Sequence, residues 1–223
     1  MLLNNQQIME EIKMEIKICI KIKKMKILYK ICNILHNRIV DLFGGFMKTA
    51  IIYSSETGFT KKYALWLEEK LGSDAKAYSL KEAKKVNFDD CDALVYGGWV
   101  CAAQINGAKW FKEKMPSWAA SGKKLALWAT GGSPMESPDI PKALDVMLTE
   151  DEKKIAKVFY CPGGFNYENM KPMYRLMMKM FVKMLSNKKD MREIDREAVK
   201  MMSHSYDIAD QKYLDPIVEY LKG

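Results

Sequence analysis

From residue 47 onward, short apolar runs alternate with stretches in which apolar residues recur every three or four positions. Lys48–Tyr53 (KTAIIY) predicts a buried strand, and Thr60–Leu71 predicts a helix that turns Tyr63, Trp66, Leu67 and Leu71 inward. Gly72 stands where that helix is expected to stop. Ala75–Ser79 predicts a second strand, Ala93–Tyr96 a third, Lys124–Ala129 a fourth and Ile155–Cys161 a fifth. Helices are predicted over Asn106–Met115, ended by Pro116, then near Pro141–Leu148, and last over Asp207–Leu221. Near-continuous apolar strands alternating with helices predict an α/β fold, a doubly wound five-stranded parallel sheet covered on both faces. Ligands of such sheets sit beyond the carboxyl ends of the strands.

Residues 1–46 differ in kind and contain no Ala, Ser, Thr or Pro. Isoleucine falls at helical spacing over positions 8, 12 and 16, then at every second position to 22, so neither period is sustained. Lysines interrupt every apolar run, which excludes a signal peptide's apolar region and a membrane-spanning helix. The stretch reads as translated AT-rich leader, with the functional start at Met47. Gly44-Gly45-Phe46-Met47 allows a purine-rich ribosome-binding sequence before an initiator codon. A basic amphipathic tail is the other reading. The net charge of +8 divides evenly: eight Lys/Arg against four Asp/Glu in residues 1–46 leave 28 against 24 downstream. That balance admits an anionic partner without choosing among nucleotide, nucleic acid and lipid. Five scattered cysteines without C-x-x-C spacing, and only His36 and His204, point to a reduced, cytoplasmic chain without a metal site.

The loops after strands one, three and four carry the candidate chemistry. After the first strand, Ser54-Ser55-Glu56-Thr57-Gly58-Phe59-Thr60 leads straight into a helix. Small hydroxyl residues and one glycine let backbone N–H groups converge on an anion at the positive end of the helix. A helix capped after a tight turn reads equally well from the same residues. No Walker lysine and no G-x-G-x-x-G occur, which disfavours triphosphate and dinucleotide sites.

Ser55-Glu56-Thr57-Gly58-Phe59-Thr60, directly after an IIY strand, resembles the flavodoxin phosphate-binding loop, S/T-x-T-G-x-T. The resemblance implies FMN as cofactor, with this loop around its phosphate. It also implies that Gly97-Gly98-Trp99-Val100-Cys101-Ala102 and Thr130-Gly131-Gly132-Ser133-Pro134 flank the flavin ring. The implied binding set is Ser55, Glu56, Thr57, Gly58, Phe59, Thr60, Trp99, Val100, Cys101, Thr130, Gly131 and Gly132. Trp99 reads as a stacking partner or as a rim tryptophan, and Cys101 as a small packing residue. No general acid or base stands out among them.

Pro162–Ser205, between the fifth strand and the last helix, is too long for an ordinary loop and reads as a helical insertion. On a helix over 171–185, Lys171, Arg175, Lys179 and Lys183 share one side. Met173, Leu176, Met177, Met180, Phe181, Met184 and Leu185 occupy much of the rest. The preferred reading is an apolar face that covers the sheet or the flavin edge, with the lysines in water. Peripheral contact with anionic lipid at the inner face of the membrane is the alternative. A flavodoxin core with such an insertion resembles the branch that contains menaquinone-dependent protoporphyrinogen dehydrogenase. That implies an FMN-dependent oxidoreductase with a small-molecule or quinone electron partner. A flavodoxin-type electron carrier is the second reading, although residues 47–223 keep a charge of +4 where dedicated carriers are strongly acidic. No basic-aromatic interleaving supports a nucleic-acid partner.

Overall fold

The computed structural model describes residues 47–101, 103–187 and 193–222, so residues 1–46, with the leader reading that falls on them, and Ala102 lie outside the described residues. Five parallel strands form the central sheet: β1 (Thr49–Ser54), β2 (Ala75–Ser79), β3 (Ala93–Cys101), β5 (Lys124–Gly131) and β6 (Ala156–Pro162). Their order is β2-β1-β3-β5-β6, and a short strand β4 (Gln104–Ile105) pairs antiparallel with the end of β3. This is the doubly wound α/β architecture read from the apolar pattern.

Alternation along the strands divides the core into two layers. Ala50, Ile52, Leu94, Tyr96, Leu125 and Leu127 face one side with Phe111 and Met115. Ile51, Val95, Ala126 and Trp128 face the other with Tyr63, Leu67, Leu71 and Leu221. The first layer is covered by α3 (Ala108–Lys112), α4 (Met115–Ala120) and α5 (Ile140–Asp145). The second is covered by α1 (Phe59–Leu71) and the last helix, α9 (Asp215–Lys222). α1 ends at Gly72, whose φ of 73° stops the helix where expected, while its N–H still reaches the Glu68 carbonyl. Two capping boxes fix short helices, Ser79 with Glu82 before α2 (Leu80–Ala83) and Thr149 with Glu152 before α6 (Glu150–Ile155).

Three segments differ from expectation. Gly97–Cys101 is not loop; it continues β3 and folds back as the β3–β4 hairpin. The glycines read as loop because the sequence does not reveal what they face. A Cβ on Gly97 would fall 1.9 Å from the Trp128 ring, so a fully buried tryptophan claims that space. Pro116 opens α4 rather than ending a longer helix, since proline is tolerated in a helix's first turn. Residues 207–210 are not helical, because Tyr206–Asp207 (β8) pairs with Gly164–Phe165 (β7). The Tyr63 hydroxyl also accepts from the Asp210 N–H at 3.2 Å while donating to the Pro162 carbonyl.

Between β6 and α9 lie the two insertion helices, α7 (Pro172–Ser186) and α8 (Glu193–Met202). No residue of α7 is buried, and even Met177 and Phe181 are 52% and 42% exposed, so the preferred reading of a covering apolar face is met only in part. Met173, Leu176, Met180 and Met184 are 57–63% exposed, so a second apolar ridge faces solvent. Sequence periodicity cannot separate two adjacent apolar flanks. Among the described residues, no helix is long and apolar enough to cross a membrane.

Gly97→Ala should cost about 3 kcal/mol or more by overpacking against Trp128, measured as a lowered urea midpoint with an unchanged slope.

Candidate functional site

β1 and β3 are neighbours, but the chain leaves β1 toward β2 on one side and leaves β3 toward β5 on the other. The connections therefore diverge, and a crevice opens beyond Ser54 and its register partner Gly98. Gly58 turns the chain from β1 into α1 with φ 103°, a left-handed value that strains any residue bearing a Cβ. Its N–H is taken by the Ser55 hydroxyl at 3.2 Å. No side chain caps α1, so the first-turn amides keep no intrahelical acceptor.

Asn106, which sequence reasoning passed over, organises the opposite lip. Its N–H donates to the Trp99 carbonyl (2.9 Å), its carbonyl accepts from the Tyr96 hydroxyl (2.8 Å), and its side-chain oxygen accepts from Ser54 Oγ (3.0 Å). The β3–β4 hairpin is thus tied to the end of β1.

These loops border one cavity of about 560 Å³. Ser55, Glu56, Thr57, Phe59 and Thr60 form one end; Trp99, Val100 and Cys101 form a wall, and Thr130, Gly131, Gly132 and Ser133 another. Eleven of the twelve residues expected around a cofactor therefore meet here, and Gly58 instead sets the turn behind them. Sequence reasoning missed the rest of the lining. Ile140, Ala143 and Leu144 come from α5, with Asp139 before it and Met147 after it; Tyr160 and Phe165 also line the cavity. Met170, Tyr174, Met177, Met178, Phe181 and Met202 belong to the insertion. Tyr174 stands edge-on to Trp99, ring centroids 5.2 Å apart. Periodicity marked α5 as a helix, but no local signal reveals that it borders a site.

Two phenols, Tyr160 buried and Tyr206 half-buried, shape the β5 wall. Tyr160 donates to the Ser133 carbonyl at 2.8 Å, and Tyr206 donates to the Gly132 carbonyl. Burial pushes the Tyr206 phenol up to about 12 and that of Tyr160 higher still, so both remain protonated donors at neutral pH. The Thr130 hydroxyl is buried at the wall and has no hydrogen-bond partner among the described residues.

The model of the flavodoxin domain matches residues 50–192. The chain belongs to the flavodoxin-domain family. Among solved structures, this flavodoxin-domain protein is similar to a flavoprotein in complex with FMN from Lactobacillus acidophilus. That pair shares 15% identity at a TM-score of 0.36, covering 52% of this chain and 92% of the other. A flavodoxin from the domain Archaea is 15% identical, with TM-score 0.32 and coverage of 71% and 100%. The apo form of an NADH:FMN oxidoreductase, EMOB, is 16% identical, with TM-score 0.42 and coverage of 78% and 90%. No curated protein matches the chain. The family match carries the assignment, and with it FMN as cofactor and FMN-linked redox chemistry as function.

The site fits that cofactor on two observations. The uncapped start of α1 leaves amides for a phosphate, and the Thr130 hydroxyl, buried in a residue that lines the cavity, has no partner among the described residues.

Thr57→Ala and Gly58→Glu should each weaken FMN binding about tenfold or more, read by flavin fluorescence titration, with an unchanged far-UV circular dichroism spectrum. Unchanged affinity in both would place the phosphate elsewhere.

Proposed function

We propose that this flavodoxin-domain protein is an FMN-dependent oxidoreductase that exchanges electrons with an apolar small molecule of the quinone class. The branch it resembles contains menaquinone-dependent protoporphyrinogen dehydrogenase. One observation carries the reading. The cavity does not stop at the residues expected around the cofactor; its lining also takes in the apolar side chains of Ile140, Ala143, Leu144, Met147, Met177 and Phe181, which would form a compartment for such a partner. An electron carrier that meets its protein partner at an exposed flavin edge has no use for such a compartment.

When bound, FMN supplies the redox chemistry. The protein's part is to hold and to exclude. The β1–α1 loop, Ser55 to Thr60, would hold the phosphate, and Trp99, Val100, Cys101, Thr130, Gly131 and Gly132 would border the ring. Methionine-rich walls adapt to the outline of an apolar partner and keep water from it. Of the two carboxylates lining the cavity, Glu56 is paired with Lys171 and Asp139 is exposed, so no proton transfer is assigned to a protein group.

The outer ridge of α7 supports a second element of the proposal. Met173, Leu176, Met180 and Met184 lie in solvent beside Lys179 and Lys183, the arrangement of a helix resting on an anionic lipid surface. Since the adjacent flank of the same helix lines the cavity, a partner dissolved in lipid would reach the site without crossing bulk water.

Reduced holoprotein mixed with a quinone should reoxidise at least tenfold faster than its Leu144→Glu variant, while both react equally with a small hydrophilic oxidant. Equal quinone rates would remove the apolar compartment from the reaction. Quinone-coupled oxidation of protoporphyrinogen would assign the branch, and electron exchange with protein partners alone would assign a carrier instead.

A further inference from the structure

The loop expected to hold a phosphate dianion contains no basic residue and does contain a carboxylate, Glu56, which lines the cavity with its side chain only 15% exposed. Left alone, that charge would repel the group the loop has to admit. It is not left alone. Lys171 Nζ lies 2.9 Å from Glu56 Oε2, a contact that spans 115 positions of sequence. Lys171 is the residue just before α7, where Pro172 opens the helix and the Arg175 N–H donates to the Lys171 carbonyl at 3.0 Å. The nearest lysine of α1 that the structure shows paired, Lys62, is engaged with Asp207 at 2.7 Å.

We propose that Lys171, from the insertion and not from the loop motif, is a specificity-determining residue for the phosphate: it cancels the Glu56 charge so that the β1–α1 loop accepts a dianion. The inference rests on the FMN reading of that loop. Its consequence is a preference for FMN over riboflavin, which carries the same ring without the phosphate. It also ties the start of α7 to the occupied loop.

The test is a double-mutant cycle read by flavin fluorescence, with FMN and riboflavin titrated separately into wild type, Lys171→Gln, Lys171→Arg, Glu56→Gln and the Lys171→Gln/Glu56→Gln pair. Lys171→Gln should weaken FMN on the order of tenfold, since one positive charge no longer offsets the carboxylate near a dianion. Riboflavin affinity should stay within about twofold, and Lys171→Arg should keep the wild-type preference. Glu56→Gln should bind FMN at least as tightly as wild type, and the pair should return to within about threefold of it. Equal losses for FMN and riboflavin in Lys171→Gln, or a pair as weak as Lys171→Gln alone, would show a merely structural tether and overturn the proposal. Wild type that binds FMN, with Lys171→Gln unchanged, overturns this inference alone. Wild type that binds neither ligand overturns the FMN reading as well.

Discussion

A parallel sheet cannot cover the carboxyl edge of its own strands where neighbouring connections run apart. Between β1 and β3 that divergence leaves a crevice, and the first amides of α1 meet it without a side-chain cap. Unsatisfied donors at the positive end of a 13-residue helix demand an acceptor, from water or from an anion. The surrounding structure serves this edge. Asn106 ties the β3–β4 hairpin to Ser54, and the phenols of Tyr160 and Tyr206 hold the carbonyls of the β5 turn. The insertion places a helix along the remaining side.

How firmly that helix is held follows from its contacts. The Lys171–Glu56 ion pair involves a lysine that is 70% exposed, and solvent screening leaves pairs of that kind little weight in holding the helix. The Trp99–Tyr174 edge contact adds about 1 kcal/mol beyond its buried area. Met170, the one insertion residue of the cavity that is deeply buried, anchors the approach to α7. Contacts of this size keep a helix over a cavity without locking it there, which suits a site that must admit and release a partner. The same helix leaves six large apolar side chains exposed, Met173, Leu176, Met177, Met180, Phe181 and Met184, a feature that stability does not require.

The sheet was legible because apolar runs and their spacing are local properties. β2 falls on the residues expected, and β1, β5 and β6 differ from expectation by one or two positions at their ends. The flavodoxin-like loop was legible for the same reason, six consecutive residues with a characteristic order. What escaped the sequence was long-range. Gly97 reads as loop until Trp128 is seen to occupy the space of its Cβ, and Asp207 reads as helix until Gly164 pairs with it. Asn106, Tyr160 and Tyr206 carry no local mark, because each acts on a carbonyl or hydroxyl supplied by a distant segment. α7 was legible as a helix of mixed face, but its division into a cavity flank and a solvent flank depends on what packs beside it.

The central claim is that the turn between β1 and α1 holds the phosphate of FMN. A crystal structure of the protein grown with FMN tests it directly. The account predicts phosphate density within hydrogen-bonding distance of the amides from Ser55 to Thr60, with the ring lying between Trp99 and the Thr130–Gly132 wall. FMN bound elsewhere, with that turn empty, would contradict it.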